Sequence, residues 1–204
     1  MPHPFFTADR PLAFAHRGGA ALAPENTMAA FDNAIALGAD GLELDVRLTR
    51  DGVVVVHHDR TLARTTGLDG DLAARTSGDV SRAGVPTLAS VLRRHRDVRV
   101  IVEMKVNTPD FARAVVEVVR GAGAAERVCL GSFGRRALRT ARQMEPAIAT
   151  SAAREEVRWA LYRSWCRWPV TSVGYAGYQV PEVTGATRVV SPQFIRHAHE
   201  AGLG

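Results

Sequence analysis

The sequence predicts an α/β fold, a parallel sheet with helices outside it, carrying one antiparallel hairpin after the second strand. Three observations carry this reading. Strand-like and helix-like segments alternate along the 204 residues, the pattern of a parallel sheet built from crossover helices. One link breaks the alternation. Only "TRDG" (49–52) separates the second strand from "VVVVHHD". A parallel crossover needs about a dozen residues, so this pair must be antiparallel, and Asp51 followed by Gly52 is a hairpin turn signal. Finally, two strands carry charges at alternate positions, so one face of the sheet is meant for chemistry and the other for packing.

The elements follow in order. "LAFAHRG" (12–18) reads as a strand. Residues 26–38 read as a helix, with Asn26 as N-cap and Gly38 as its stop. Strands at 40–49 and 52–59 form the hairpin. A polar, Gly-containing loop covers 60–86, and Pro86 and Thr87 open a helix that runs to about Arg96. Strand 98–106 and helix 109–121 follow, then strand 127–133 and helix 134–145, then strand 147–152 and helix 154–165. A weaker strand lies at 178–181 or at 188–190, before a last helix at 191–201. Excluding the hairpin arm, about six parallel strands result. The length suits a single domain, 1–204.

Composition narrows the function classes. No stretch of 18 apolar residues exists, which excludes a spanning helix and stable membrane insertion. "MPHPFFTADRP" lacks the basic and apolar regions of a secretory signal. Cys129 and Cys166 form no CxxC motif and read as reduced thiols in a cytoplasmic protein. The net charge is +5 and the pI near 10, but the arginines are scattered along helical stretches without interleaved aromatics. That argues against a nucleic-acid partner. Nothing in these patterns specifies an oligomeric state.

Glu43 and Asp45 lie two apart on one strand and share a face, opposite Leu42, Leu44 and Val46. Glu103 and Lys105 repeat the pattern on strand 98–106, opposite Val102 and Met104. The apolar faces are where helices pack, so the charged ones point inward. Buried carboxylates are costly unless paired or metal-bound, and three of them with one lysine leave a deficit of positive charge. An oxygen-only ligand set suits a divalent cation such as Mg²⁺, Ca²⁺ or Mn²⁺ rather than Zn²⁺. Ion pairing to arginine at a strand end is the alternative. Hairpin loops of two or four residues bring His58 to this face, opposite Asp45 or Glu43 respectively; an odd loop brings His57. His16 ends the first strand at the same rim. Two histidines beside carboxylates suit general acid and base roles, Arg17 suits a phosphate, and Gly18 and Gly19 permit close backbone approach. Together the set fits phosphoryl transfer on a diester. Of the 26 basic residues only Lys105 is lysine, which suits a narrow position needing a compact ammonium rather than a guanidinium fork.

"AHRGGAALAPENTMAAFDNAIALGADGLELDVRLTRDGVVVVHHDRTLARTTG", followed by "PTLASVL", "VEMKV" and "GSF", resembles the glycerophosphodiester phosphodiesterase family over essentially the whole chain. The resemblance implies a TIM (β/α)8 barrel with its site at the C-terminal ends of the strands. It implies His16 and His58 as the acid/base pair and chooses His58 over His57, because the family's histidine directly precedes the aspartate. It makes Glu43, Asp45 and Glu103 ligands of one divalent cation, Mg²⁺ or Ca²⁺, and Arg17 and Lys105 phosphate contacts, with Glu25 in support. The implied reaction is hydrolysis of a glycerophosphodiester to sn-glycerol 3-phosphate and an alcohol. The family continues beyond "HAHEAGL" into a WTVN-like strand, a helix and a final strand, and a barrel typically needs about 250 residues. The expectation is therefore a C-terminally truncated barrel lacking its last two strands. Two alternatives follow: a phosphodiesterase acting on a larger lipid, phospholipase D-like, and an inert fragment that only binds metal or phosphate. For the lipid reading, exposed aromatics near the rim would count; Trp159 and Trp165 instead read as packing residues.

Overall fold

The structure, a computed structural model, describes residues 3–169 and 173–203; Gly204, where the truncation was expected, lies outside them. Strands β1 (Phe14–His16), β2 (Gly41–Leu48), β4 (Arg99–Met104), β5 (Val128–Gly131) and β6 (Ala149–Thr150) pair in that order, all parallel. A sixth parallel position is a single bridge, Ser151 to Gly177, held by Ala152 N–H donating to Gly177 O and Ala176 N–H donating to Thr150 O. The weak strand expected at 178–181 therefore begins earlier and shrinks to one bridge. Of the alternative at 188–190, only Arg188 lies in a strand, and that strand belongs to a separate antiparallel hairpin, β7 (Val183–Thr184) with β8 (Thr187–Arg188).

The helices are α1 (Met28–Ala36), α4 (Leu88–Arg94), α5 (Pro109–Gly121), α6 (Arg135–Met144), α7 (Arg154–Trp165) and α8 (Pro192–Glu200). Their apolar faces cover the outer side of the sheet. Leu42, Leu44, Val46, Val100, Val102, Met104, Val128 and Leu130 pack there against Phe31, Leu88, Val115 and Leu138, all essentially buried. Thr27, not Asn26, caps α1: its hydroxyl accepts from Ala30 N–H at 3.2 Å. Asn26 is displaced from capping because the chain turns there at φ 58° and its amide is used elsewhere.

The hairpin departs from both favoured loop lengths. β2 pairs with β3 (Val54–Val56) so that Val46 faces Val56 and Leu48 faces Val54. Thr49 N–H donates to Val53 O, leaving a three-residue loop that ends on Gly52 at φ 77°, the left-handed residue such loops require. The odd loop makes His57, not His58, the partner of Asp45. The segment 60–86 is also more than a loop. It holds α2 (Ala63–Thr66) and α3 (Ser77–Arg82), and Leu62, Leu72, Val80 and Val85 build a second small core against Val55.

On the inner face, one row of paired residues runs His16, Glu43, Ile101, Cys129, Ala149. Strand tilt makes such a row slope along the axis of a barrel, so the row starts at the C-terminal rim and descends. Its lower end joins Phe5, Phe6, Phe14 and Ala176 in an apolar cluster. Phe5 sits in a short 3-10 turn, residues 4–6, stitched to the N-terminal ends of the strands: Arg99 donates to Thr7 O, and a His3 ring nitrogen lies 3.3 Å from Ala147 O. The amino-terminal segment thus forms the floor.

Candidate active site

The upper end of the same face is charged. Asp45 faces Glu103 across β2 and β4, and His16 faces Glu43 across β1 and β2. These four residues converge at the carboxyl ends of the strands, as their alternate spacing predicts. His16 Nε2 lies 3.8 Å from Glu43 Oε2 and its side chain is 68% exposed, so the imidazole looks out of the mouth. The chain then turns sharply. Arg17 takes φ 52° and its N–H donates to Glu43 Oε2 at 3.0 Å. Gly18, at φ 78°, lies so close to α1 that an added Cβ would sit 3.0 Å from the Ala30 Cβ. That glycine serves packing, whereas Gly19 has open space where a side chain would go.

The three carboxylates have different surroundings. Asp45 is buried and saturated. Lys105 Nζ lies 2.9 Å from Oδ1; Asn26 Nδ2 donates to Oδ2 at 3.0 Å; Arg17 Nε lies 3.2 Å from Oδ2 without hydrogen-bond alignment. Glu43 is raised above the usual carboxylate range, by burial first and then by the Asp45 charge. Burial pushes Glu103 up to about 7, with Lys105 opposing and Glu43 and Asp45 reinforcing the rise. Gly131 makes room for Glu103: a Cβ there would collide with the Glu103 carboxylate and lie 3.2 Å from the Gln179 amide.

Among the described residues, no group of three or more His, Cys, Asp or Glu side chains is arranged to hold a metal ion. Glu43, Asp45 and Glu103 share a face without forming a ready ligand cage, because Asp45 is drawn to Lys105, Arg17 and Asn26. The donor set nevertheless suits a hard divalent cation. It is all oxygen, and two of its three carboxyls are raised by burial with no cation beside them comparable to those on Asp45. Arg17 and Lys105, expected on a phosphate, here hold Asp45 and, for Arg17, Glu25 at 3.2 Å. Lys105 Nζ also stands 5.7 Å from the Phe133 ring centre, and the Arg154 guanidinium stands 4.9 Å from the same ring.

The histidines of the hairpin divide their tasks. His57 is the register partner of Asp45, whose carbonyl accepts from its main-chain N–H, but its ring is buried and bonded to Thr61 O at 3.0 Å. Burial holds its pKa below the ordinary value. His57 is thus a packing histidine. His58 lies just beyond the strand, with Nδ1 2.6 Å from Asp59 Oδ1. It reaches the carboxylate cluster through a chain of contacts: Asp59 to Arg64, Arg64 to Glu25, Glu25 to Arg17, Arg17 to Asp45. Asp59 is held well below the usual carboxylate range by its bond to Arg64, and further by His58. Sequence reasoning missed Asn26, Asp59 and Arg64 as site residues. The one signal for Asp59 and Arg64 was an acidic and a basic side chain on either side of "RTLA", directly after the second histidine.

Trp159 and Trp165 are not packing residues. They are 54% and 52% exposed, with Tyr162 at 46% and Trp168 at 47%. Trp159 stacks on Tyr162 at 5.8 Å, and Trp168 meets both edge-on. A cavity of about 520 Å³ beside Arg142, Ile148, Tyr175 and Leu203 lies toward the opposite end of β6 and touches none of the charged residues at the rim.

The chain as a whole is similar to known proteins. The family model described as "Glycerophosphoryl diester phosphodiesterase family" matches residues 16–204. A Mycobacterium tuberculosis protein named "Probable glycerophosphodiester phosphodiesterase 2" is 35% identical over 208 residues, covering 94% of this chain and 76% of that one. The crystal structure of a glycerophosphodiester phosphodiesterase from Agrobacterium tumefaciens matches with a TM-score of 0.73 at 28% identity, over 95% of this chain and 84% of the other. An Oleispira antarctica phosphodiesterase, solved in complex with the product sn-glycerol-3-phosphate, matches with a TM-score of 0.64 at 28% identity, over 69% of this chain and 65% of that one.

Proposed function

We infer the activity from one premise: the chain belongs to the glycerophosphoryl diester phosphodiesterase family and has its TIM-barrel fold. The reading is a cation-dependent hydrolysis of a glycerophosphodiester to sn-glycerol 3-phosphate and an alcohol, by one catalytic domain spanning the chain. The observation that carries it is the inward cluster of Glu43, Asp45, Glu103 and Lys105 on adjacent strands, with His16 in register beside Glu43.

Glu43, Asp45 and Glu103 would hold one divalent cation, Mg²⁺ or Ca²⁺. Bound there, it would supply Lewis-acid neutralisation of phosphoryl oxygens. The remaining chemistry belongs to the side chains. Lys105 and Arg17 would trade part of their hold on Asp45 for the phosphate oxygens, with Glu25 keeping the guanidinium in place. Asp59, a carboxylate that only accepts, fixes the His58 proton on Nδ1 and leaves Nε2 for proton transfer. One of His16 and His58 takes the proton from the glycerol 2-hydroxyl as its oxygen attacks phosphorus. The other gives a proton to the departing alcohol oxygen. Water then opens the cyclic phosphate, leaving glycerol 3-phosphate. The cytoplasm is the compartment proposed, on the two free thiols.

The test is release of glycerol 3-phosphate from glycerophosphocholine in Mg²⁺ or Ca²⁺. Turnover lost on chelation and in His16→Ala is the expected result; a folded, cation-binding chain with no turnover on any glycerophosphodiester overturns it.

A second reading, a larger lipid diester as substrate, is favoured by one observation, the half-exposed cluster of Trp159, Tyr162 and Trp168, with Trp165 exposed on the same helix. Such rings suit the interfacial zone of a bilayer. The described residues contain no helix long and apolar enough to cross a membrane, so the contact would be peripheral. Cleavage of a lysophospholipid in vesicles faster than of glycerophosphocholine supports this substrate; the reverse removes it.

A further inference from the structure

We propose that Arg64 is a positioning residue that sets the orientation of His58 and of Arg17 at once, through two carboxylates that it holds simultaneously. The proposal rests on the hydrolase reading for its kinetic consequences and on geometry alone for its structural ones.

Arg64 Nε donates to Asp59 Oδ2 at 2.5 Å, and a terminal nitrogen of the same guanidinium donates to Glu25 Oε1 at 2.5 Å. Each carboxylate passes the constraint on. The other oxygen of Asp59 meets His58 Nδ1 at 2.6 Å. Glu25 accepts from Arg17 Nη1 with both oxygens, at 3.2 and 3.3 Å. Glu25 comes from the segment between β1 and α1, Asp59 from the segment after β3. No other element holds these two segments to each other through one side chain in the contacts described above. Arg64 is itself well anchored. Leu62, two residues earlier, is fully buried in the second core, and Gly67 at φ 69° closes α2 just behind it.

The chemistry of the residue fits the task. A guanidinium presents several donors in a rigid fork and can serve two carboxylates in fixed directions; an ammonium is a point charge on a flexible stem. One donor fork therefore couples the proton-transfer side of the site to its phosphate side. Loosening it disturbs both, although Arg64 touches no reacting atom.

The test compares Arg64→Ala, Arg64→Lys, Asp59→Asn and Glu25→Gln with the wild type. The loss of an outer partner of an active group costs roughly 10–100-fold. Asp59→Asn is expected to lower kcat by that factor with KM little changed. Glu25→Gln is expected mainly to raise KM. Arg64→Ala should do both, and Arg64→Lys should recover less than half of the loss on a logarithmic scale. Effects of Arg64→Ala and Asp59→Asn should be less than additive when combined. Independently of turnover, nitrogen chemical shifts of His58 should show a single Nδ1–H tautomer in the wild type and a mixture in Arg64→Ala. Unchanged His58 shifts in Arg64→Ala, or full kinetic rescue by Arg64→Lys, overturn the proposal. Absence of turnover in the wild type would sink the hydrolase reading instead, and the nitrogen shifts would still decide the role of Arg64.

Discussion

Within two residues of β4, the inner face changes its nature. Ile101 lies in the apolar floor with Phe5, Cys129 and Ala149, while Glu103 stands in the charged rim beside Asp45 and Lys105. Both positions are largely withdrawn from solvent, at 8% and 9% exposure. The floor is withdrawn among carbon, which stabilises the fold. The rim is withdrawn among charges, with more carboxyls than Lys105 and Arg17 pair, which costs stability and keeps carboxyls poised for a cation or a proton. The same backbone ladder thus supports two energetic regimes, and the charged regime is tolerable because the apolar one adjoins it.

Substitutions at the two ends should separate cleanly. The largest effect is expected at the mouth. His16→Ala should lower kcat by about 10²–10⁴-fold, the usual worth of a positioned acid or base, with no change in melting temperature, since the ring is mostly exposed. A large drop in melting temperature would mean that rim and floor are not energetically distinct. Next, Ile101→Ala should destabilise the chain by roughly 2–4 kcal/mol in urea unfolding, the range for emptying an aliphatic core site, while KM stays within twofold. The third effect is smaller and pH-dependent. Glu103 is raised from 4.5 to about 7 by burial. Between those values the folded chain keeps a proton that the unfolded chain has released, so stability falls as pH rises through that window and is level above it. Glu103→Gln removes this loss. Without added metal it should exceed the wild type in stability above pH 7, by about 3 kcal/mol, and match it near pH 4. A wild-type unfolding curve flat across that window would contradict the burial of the charge. The smallest expected effect is Lys105→Arg, with an unchanged fold and turnover lowered about tenfold, because a broader cation must enter the space beside Asp45. Wild-type turnover in that variant would make the lone lysine an accident of composition.

How much of this was legible in the sequence follows from the range of each interaction. The inward set of Glu43, Asp45, Glu103 and Lys105 could be read because a strand has period two and the partners of the opposite face are apolar. The alternation of strands and helices could be read for the same local reason. The parity of the hairpin loop could not. Two-, three- and four-residue loops all accommodate Asp51 and Gly52, and the left-handed Gly52 that selects three is a backbone choice settled by pairing on both sides. The hairpin adopts neither even-length loop that would set His58 opposite Asp45 or Glu43, so resemblance and not register is what selects His58. It owes its orientation to Asp59 and Arg64, beyond the end of the strand. Asn26 looked like a helix cap because caps and site ligands draw on the same residue types, and only the fold brings Asp45 to it. The exposed rings of α7 were misread because an aromatic at helical spacing looks identical whether it faces a core or water.

The floor also has a history within each molecule. Phe5 leaves the ribosome 96 residues ahead of its partner Ile101, 124 ahead of Cys129 and 144 ahead of Ala149. The amino-terminal turn must therefore wait, exposed, until β4, β5 and β6 exist to receive it, a closure over long sequence separation of the kind that slows folding.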